Sequence, residues 1–82
     1  MKTTSELRAT LDSARNSLGF HGPCRPSWLH NKTGLRYDVE SVALRESDQV
    51  PMVVYRRSSI RDPLSWTRPL EEFLAKFTEE DA

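Results

Sequence analysis

Few side chains in this 82-residue sequence are of types that could do chemistry, and their spacing narrows the choice. His21, Cys24 and His30 are the soft metal ligands that lie closest together. Structural zinc is held by four such ligands, usually in pairs of short spacing. Here three are spread across Pro23 and Pro26, so neither a metal nor a cofactor is expected. Cys24 or Ser58 acting as a nucleophile would need a base oriented by a third group, and the chain has two histidines in all. The three glycines are scattered, which leaves no phosphate-cradling loop. The expectation is a protein that is not an enzyme.

What remains is recognition chemistry. Trp66 and Arg68 share one strand face by the period of two, and Pro69 constrains the path of the chain beyond them. Arg56 and Arg57 are neighbours in a strand and so point to opposite faces. One of them is expected near Trp66 and Arg68, where a guanidinium over an aromatic ring is favourable. With His30 close by, Trp66, Arg68, Arg57 and Arg56 make up a candidate surface for a carboxylate, a phosphate or a peptide. The plainer reading makes Arg68 a brace for Glu72 or a backbone carbonyl. It also puts Trp28, Tyr37, Tyr55 and Trp66 in the core, since aromatic side chains dominate small cores.

These residues must be positioned by short elements. Thr3-Thr4-Ser5-Glu6 fits a capping box. Leu7, Leu11, Ala14 and Leu18 then recur at helical spacing, and Gly19 suits a left-handed cap, which predicts a helix over 4–18. Its apolar stripe must pack on the rest of the domain, on a second copy of the chain or on a partner. Phe20 to Ser27 reads as a connector because of Gly22, Pro23 and Pro26. Trp28 to His30 is a strand candidate, followed by turn chemistry at Asn31-Lys32-Thr33-Gly34. Leu35, Tyr37 and Val39 alternate with polar residues, but Val42 and Leu44 fall out of that phase. A bulge or sharp bend near Glu40-Ser41 would explain the change. After the polar turn Glu46 to Gln49, Pro51 opens a strand through Met52 to Tyr55. A loop is expected over Ser58 to Pro63 and a strand over Leu64 to Thr67. Pro69 is then placed at the first position of a helix. Leu70, Phe73, Leu74 and Phe77 give that helix its apolar face, and the tail from Thr78 to Ala82 is expected to fray.

By Trp66-x-Arg68-Pro69-x-x-x-Phe73 the chain resembles a small bacterial and phage family catalogued only as a domain of unknown function. The resemblance rests on an ordered set: Trp28, His30, Lys32, Gly34, Tyr37, Val39, Ala43, Val53, Val54, Tyr55, Trp66, Arg68, Pro69 and Phe73. It covers residues 28–74 and implies an SH3-like roll, but no activity. The chain departs from the family pattern at Arg45-Glu46-Ser47-Asp48 and at Ser59-Ile60. A ligand contacted by those two loops would be altered or lost here. The helix over 4–18 lies outside the resemblance.

The resulting expectation is an α+β fold, a small SH3-like antiparallel β-barrel or roll with an N-terminal amphipathic helix and a short C-terminal helix. Residues 1–27 form the helix and its connector, and residues 28–82 the β domain. Net charge is zero, but residues 71–82 hold one basic and five acidic side chains, whereas residues 1–27 and 28–70 each carry a net of +2. Binding to a polyanion draws on a basic field, which the chain lacks overall. A protein-binding module or adaptor is therefore favoured, with a host-protein inhibitor as its special case if the source is a phage. A nucleic-acid accessory using the Arg and aromatic patch is the alternative. A homodimer through the N-terminal helix is a further expectation. A single cysteine, with no apolar run of spanning length and no leader, points to the cytoplasm rather than a membrane.

Overall fold

A computed structural model describes residues 3–20, 25–58 and 64–80. Helix α1 runs Thr4–Leu18, as its caps require. The Thr3 hydroxyl oxygen accepts the Glu6 amide at 3.2 Å. The Glu6 carboxylate accepts from the Thr3 hydroxyl rather than from its amide, so the box closes side chain to side chain. At the other end Gly19 takes φ 86°. The amides of Gly19 and Phe20 then donate to the carbonyls of Asn16 and Arg15, which satisfies two of the helix's free acceptors.

Gly19→Ala is expected to destabilise the protein by about 1–2 kcal/mol, the cost of left-handed backbone for a residue with a Cβ. A Cβ at Gly19 would also lie 2.5 Å from Glu79 Oε1, but that carboxylate is the mobile end of a side chain and can yield. Gly34, at φ 72° with open space around it, supplies the control. If the two alanine variants lose equal stability in urea, the whole cost is conformational.

The strands are β1 (Ser27–His30), β2 (Arg36–Leu44), β3 (Pro51–Arg57), β4 (Trp66–Pro69) and β5 (Phe77–Glu79), with α2 (Leu70–Lys76) between the last two. They form one antiparallel sheet in the order β4-β3-β2-β1-β5. The β1–β2 turn is closed by the Gly34 amide donating to the His30 carbonyl at 2.7 Å. In β2 the pairing with β3 shifts between Val39 and Ser41, so Glu40 is the extra residue. The bulge restores Val42 to the side already occupied by Val39, which accounts for the change of phase.

One side of the sheet carries the core. Leu18, Trp28, Val39, Val53, Tyr55, Phe73 and Phe77 are all buried there. The Trp28 indole donates to the Leu18 carbonyl at 3.1 Å, which ties the helix end to the sheet. Ala14 and Leu18 are thus buried within the chain itself, while Leu7 and Leu11 are half-buried. On the opposite side, Asp38 accepts from Ser27 at 3.0 Å and from Ser58 at 2.6 Å.

Three expectations require correction. The fourth strand is Trp66–Pro69, so Leu64 and Ser65 precede it, and Pro69 caps α2 instead of forming its first turn. Helix α2 ends at Lys76, because Phe77 has extended backbone and Leu74 faces outward. Thr78 and Glu79 are not frayed but paired with β1, opposite Leu29 and Trp28. The α+β class holds, with β4 and β5 as the two edges of an open sheet that share no ladder. Of the expected loop over Ser58 to Pro63, residues 59–63 lie outside the described residues, as do His21 and Cys24. Among the described residues no helix is long and apolar enough to cross a membrane.

Candidate binding cleft

Residues paired directly across a ladder share a face of the sheet. Trp28 is opposite Tyr37, Tyr37 opposite Arg57, Tyr55 opposite Trp66, and Val53 opposite Arg68. His30 follows Trp28 by two positions and pairs with Phe77. All of these therefore lie on the core side. Arg56 pairs with Asp38 and lies on the other side, apart from the rest of the candidate surface.

His30, Trp66 and Arg68 line a single cleft of about 230 Å³, together with Thr33, Tyr37, Tyr55 and Phe77. A wider depression of about 430 Å³ adjoins it, lined by His30, Asn31, Lys32, Arg68, Ala75 and Lys76. His30 and Arg68 belong to both and so form the ridge between an aromatic hollow and a basic one. Arg57 does not line either depression, and its Nε is shielded from water without a hydrogen-bond partner among the described residues.

The cleft walls are held by aromatic packing. Phe73 and Phe77 stack with centroids 4.2 Å apart and planes 9° from parallel. Tyr55 meets both rings at 5.3 Å, and Tyr37 meets Tyr55 at 5.5 Å. Such tilted contacts set positive ring edges against negative faces. Phe77 is available to stack on Phe73 because the chain leaves the helix at Lys76, where the Asn31 amide captures the Lys76 carbonyl at 2.9 Å.

Arg68 is the most heavily engaged residue of the site. Its Nε donates to the Tyr55 hydroxyl at 2.7 Å and its Nη1 to Glu72 at 2.7 Å. Its guanidinium also lies 5.7 Å from the centre of the Phe77 ring. Since Arg68 is on one edge strand and Phe77 on the other, the contact brings the two open edges of the sheet together. The hydrogen bond to Tyr55, and then the attraction of Glu72, hold the Arg68 charge above its ordinary pKa against the opposing effect of burial. The brace to Glu72 is thus present, and the same residue faces the cleft.

Trp66 stands differently. The plainer reading puts it in the core and the other on the candidate surface; it is 50% exposed, because β4 is an edge strand with no neighbour beyond it. His30 is fixed on one side by Nδ1, 2.9 Å from the Thr33 hydroxyl. Among the described residues, no protein group bonds His30 Nε2, Arg68 Nη2, the Tyr37 hydroxyl or the Trp66 indole nitrogen. Tyr37, Phe77, Lys32 and Lys76 join the site without belonging to the surface read from the sequence. The β2–β3 and β1–β5 registers that bring Tyr37 and Phe77 here are not visible in local periodicity.

The departure at Arg45 to Asp48 forms a self-contained turn away from the cleft. Arg45 donates to Asp48 through Nε at 2.9 Å and Nη2 at 2.6 Å, and Gln49 takes φ 62°. The hydrogen bonds from Arg45, aided by the Val50 amide, hold the Asp48 carboxyl below its ordinary pKa. A depressed carboxylate pKa stabilises the turn above the unfolded value and loses that effect as pH falls through the folded one. Titration followed by NMR is expected to place Asp48 below the ordinary carboxylate range, and Arg45→Gln to move it back up. An unshifted Asp48 in the native protein would mean that the pair does not persist in solution.

No curated protein and no solved structure matches the chain. The model of one family, a protein of unknown function (DUF1653), matches residues 27–82, more than half of the sequence, and the chain belongs to that family.

Proposed function

We propose that this protein is a non-catalytic binding module that takes a segment of a protein partner into the aromatic cleft. The observation that supports it is a half-exposed Trp66 lining the same cleft as Arg68. No residue of α1 or α2 lines this hollow, whose walls are Tyr37, Tyr55, Trp66 and Phe77. An aromatic ring exposed beside an arginine is what recognition surfaces use as an anchor, and here that ring is Trp66, since Tyr55 and Phe77 are buried. We read the sheet as an SH3-like roll. The bulge at Glu40 and the reach of Arg68 to Phe77 across the open edges favour that reading. The single cysteine suits a reducing compartment, and we place the module in the cytoplasm.

Panning a random-peptide display library tests the proposal. Peptides are expected to be enriched by the native protein, and their binding to be lost in Trp66→Ser. Because Trp66 is half exposed, the melting temperature of that variant is expected to stay within a few degrees of native. No enrichment, or enrichment that survives Trp66→Ser, would retire the cleft as a protein-binding site.

A further inference from the structure

We infer that the cleft selects an acidic segment, one presenting a carboxylate next to a large planar side chain. The inference rests on the binding-module reading and adds the chemistry of the partner. The two hollows meet at His30 and Arg68, so an occupant of one has its neighbouring group in the other. The first hollow offers ring surface. The second is bordered by Lys32, Lys76 and Arg68, against which stands Glu72, 2.7 Å from Arg68 and 3.6 Å from Lys76. Three cations against one carboxylate leave a local surplus of two positive charges on a chain whose net charge is zero. Among the described residues Arg68 Nη2, on the ridge shared by the two hollows, has no protein partner, and in the first hollow the Trp66 indole N–H and the Tyr37 hydroxyl have none either. A carboxylate, which has only acceptors, is the complement of Arg68 Nη2 and the two lysines that border the second hollow.

A peptide suits this arrangement better than a nucleic-acid strand. A strand carries a phosphate at every step, and its affinity grows with the number neutralised. Here three cations border the one hollow, and residues 71–82 bring five carboxylates against a single lysine. One or two carboxylates match the surplus, whereas a run of phosphates exceeds it.

The test is calorimetric titration of the full chain with four blocked peptides and one oligonucleotide. The peptides are Gly-Glu-Phe-Glu-Gly, the same sequence with glutamine or lysine for glutamate, and the same with alanine for phenylalanine. The oligonucleotide is a single-stranded deoxythymidine octamer. The glutamate–phenylalanine peptide is expected to bind at least about tenfold more tightly than either the glutamine or the alanine version, and the lysine version to show no binding. The Lys32→Gln, Lys76→Gln double variant is expected to lose the preference for glutamate over glutamine while its melting temperature holds. Equal binding of the glutamate and glutamine peptides, both lost in Trp66→Ser, would overturn the acidic preference and leave the binding-module reading standing. No binding of any of the four peptides would also overturn the acidic-segment inference, while enrichment in the library screen would still support the module. Tight binding of the octamer in preference to every peptide would overturn both.

Discussion

Phe73→Ala is expected to cost about 3–5 kcal/mol, the range for truncating a fully buried phenylalanine. Small domains have about 5–15 kcal/mol of stability in total, so the variant should be largely unfolded well below the native melting temperature. Phe73 is fully buried and is the one core residue that α2 contributes. Its ring stacks on Phe77 at 4.2 Å and meets Trp28 and Tyr55 at 5.3 Å. Removing it opens a cavity between the helix and the sheet and also takes away the surface that holds Phe77 in place. Since Phe77 is the buried residue of β5, that strand should loosen with it. Urea unfolding followed by circular dichroism gives the stability, and hydrogen exchange at Thr78 and Glu79 reports on β5. A loss below about 1 kcal/mol would mean that α2 is not docked as described.

Arg68→Ala is expected to lower stability by about 1–3 kcal/mol, the cost of leaving a buried polar group without its partner. Tyr55 is only 5% exposed, and its hydroxyl accepts from Arg68 Nε. Truncation also removes the contact that joins β4 to Phe77 and the ion pair to Glu72. The ion pair is partly exposed and adds little on its own. A double-mutant cycle with Tyr55→Phe isolates the hydroxyl bond, with an expected coupling of about 1 kcal/mol. No coupling, together with an unchanged melting temperature in Arg68→Ala, would show that Arg68 faces the cleft without bracing the fold. Because Arg68 holds the structure, loss of binding in its alanine variant would not separate recognition from folding. Trp66, Lys32 and Lys76 are the positions that do.

The sequence and the structure agree most closely where the governing interactions are local. The bounds of α1 follow from Thr3, Glu6 and Gly19, whose bonds span six residues or fewer. The bulge at Glu40 follows from the failure of Val39 and Val42 to share a parity, since a strand has only two faces. The turn at Asn31 to Gly34 follows from its residue types. These features are determined by steric rules and hydrogen bonds that a short segment satisfies by itself.

Where the two disagree, the deciding interaction is distant in sequence. Thr78 and Glu79 read as tail because they are polar and acidic, yet the exposed edge of β1 captures them about fifty residues away. Phe77 reads as the fourth member of a helical stripe, until that pairing pulls it into a strand and turns its ring onto Phe73. Trp66 reads as core because tryptophan buries so much area, but its strand has a neighbour on one side only. The candidate surface shows the same division. Local parity placed Trp66 and Arg68 on one face and set Arg56 apart from Arg57. It had no bearing on which arginine shared that face, or on the delivery of His30, Tyr37 and Phe77 to it. Register decides those questions, and register is set by tertiary pairing, in which a shift of one residue turns a strand's side chains to the opposite face.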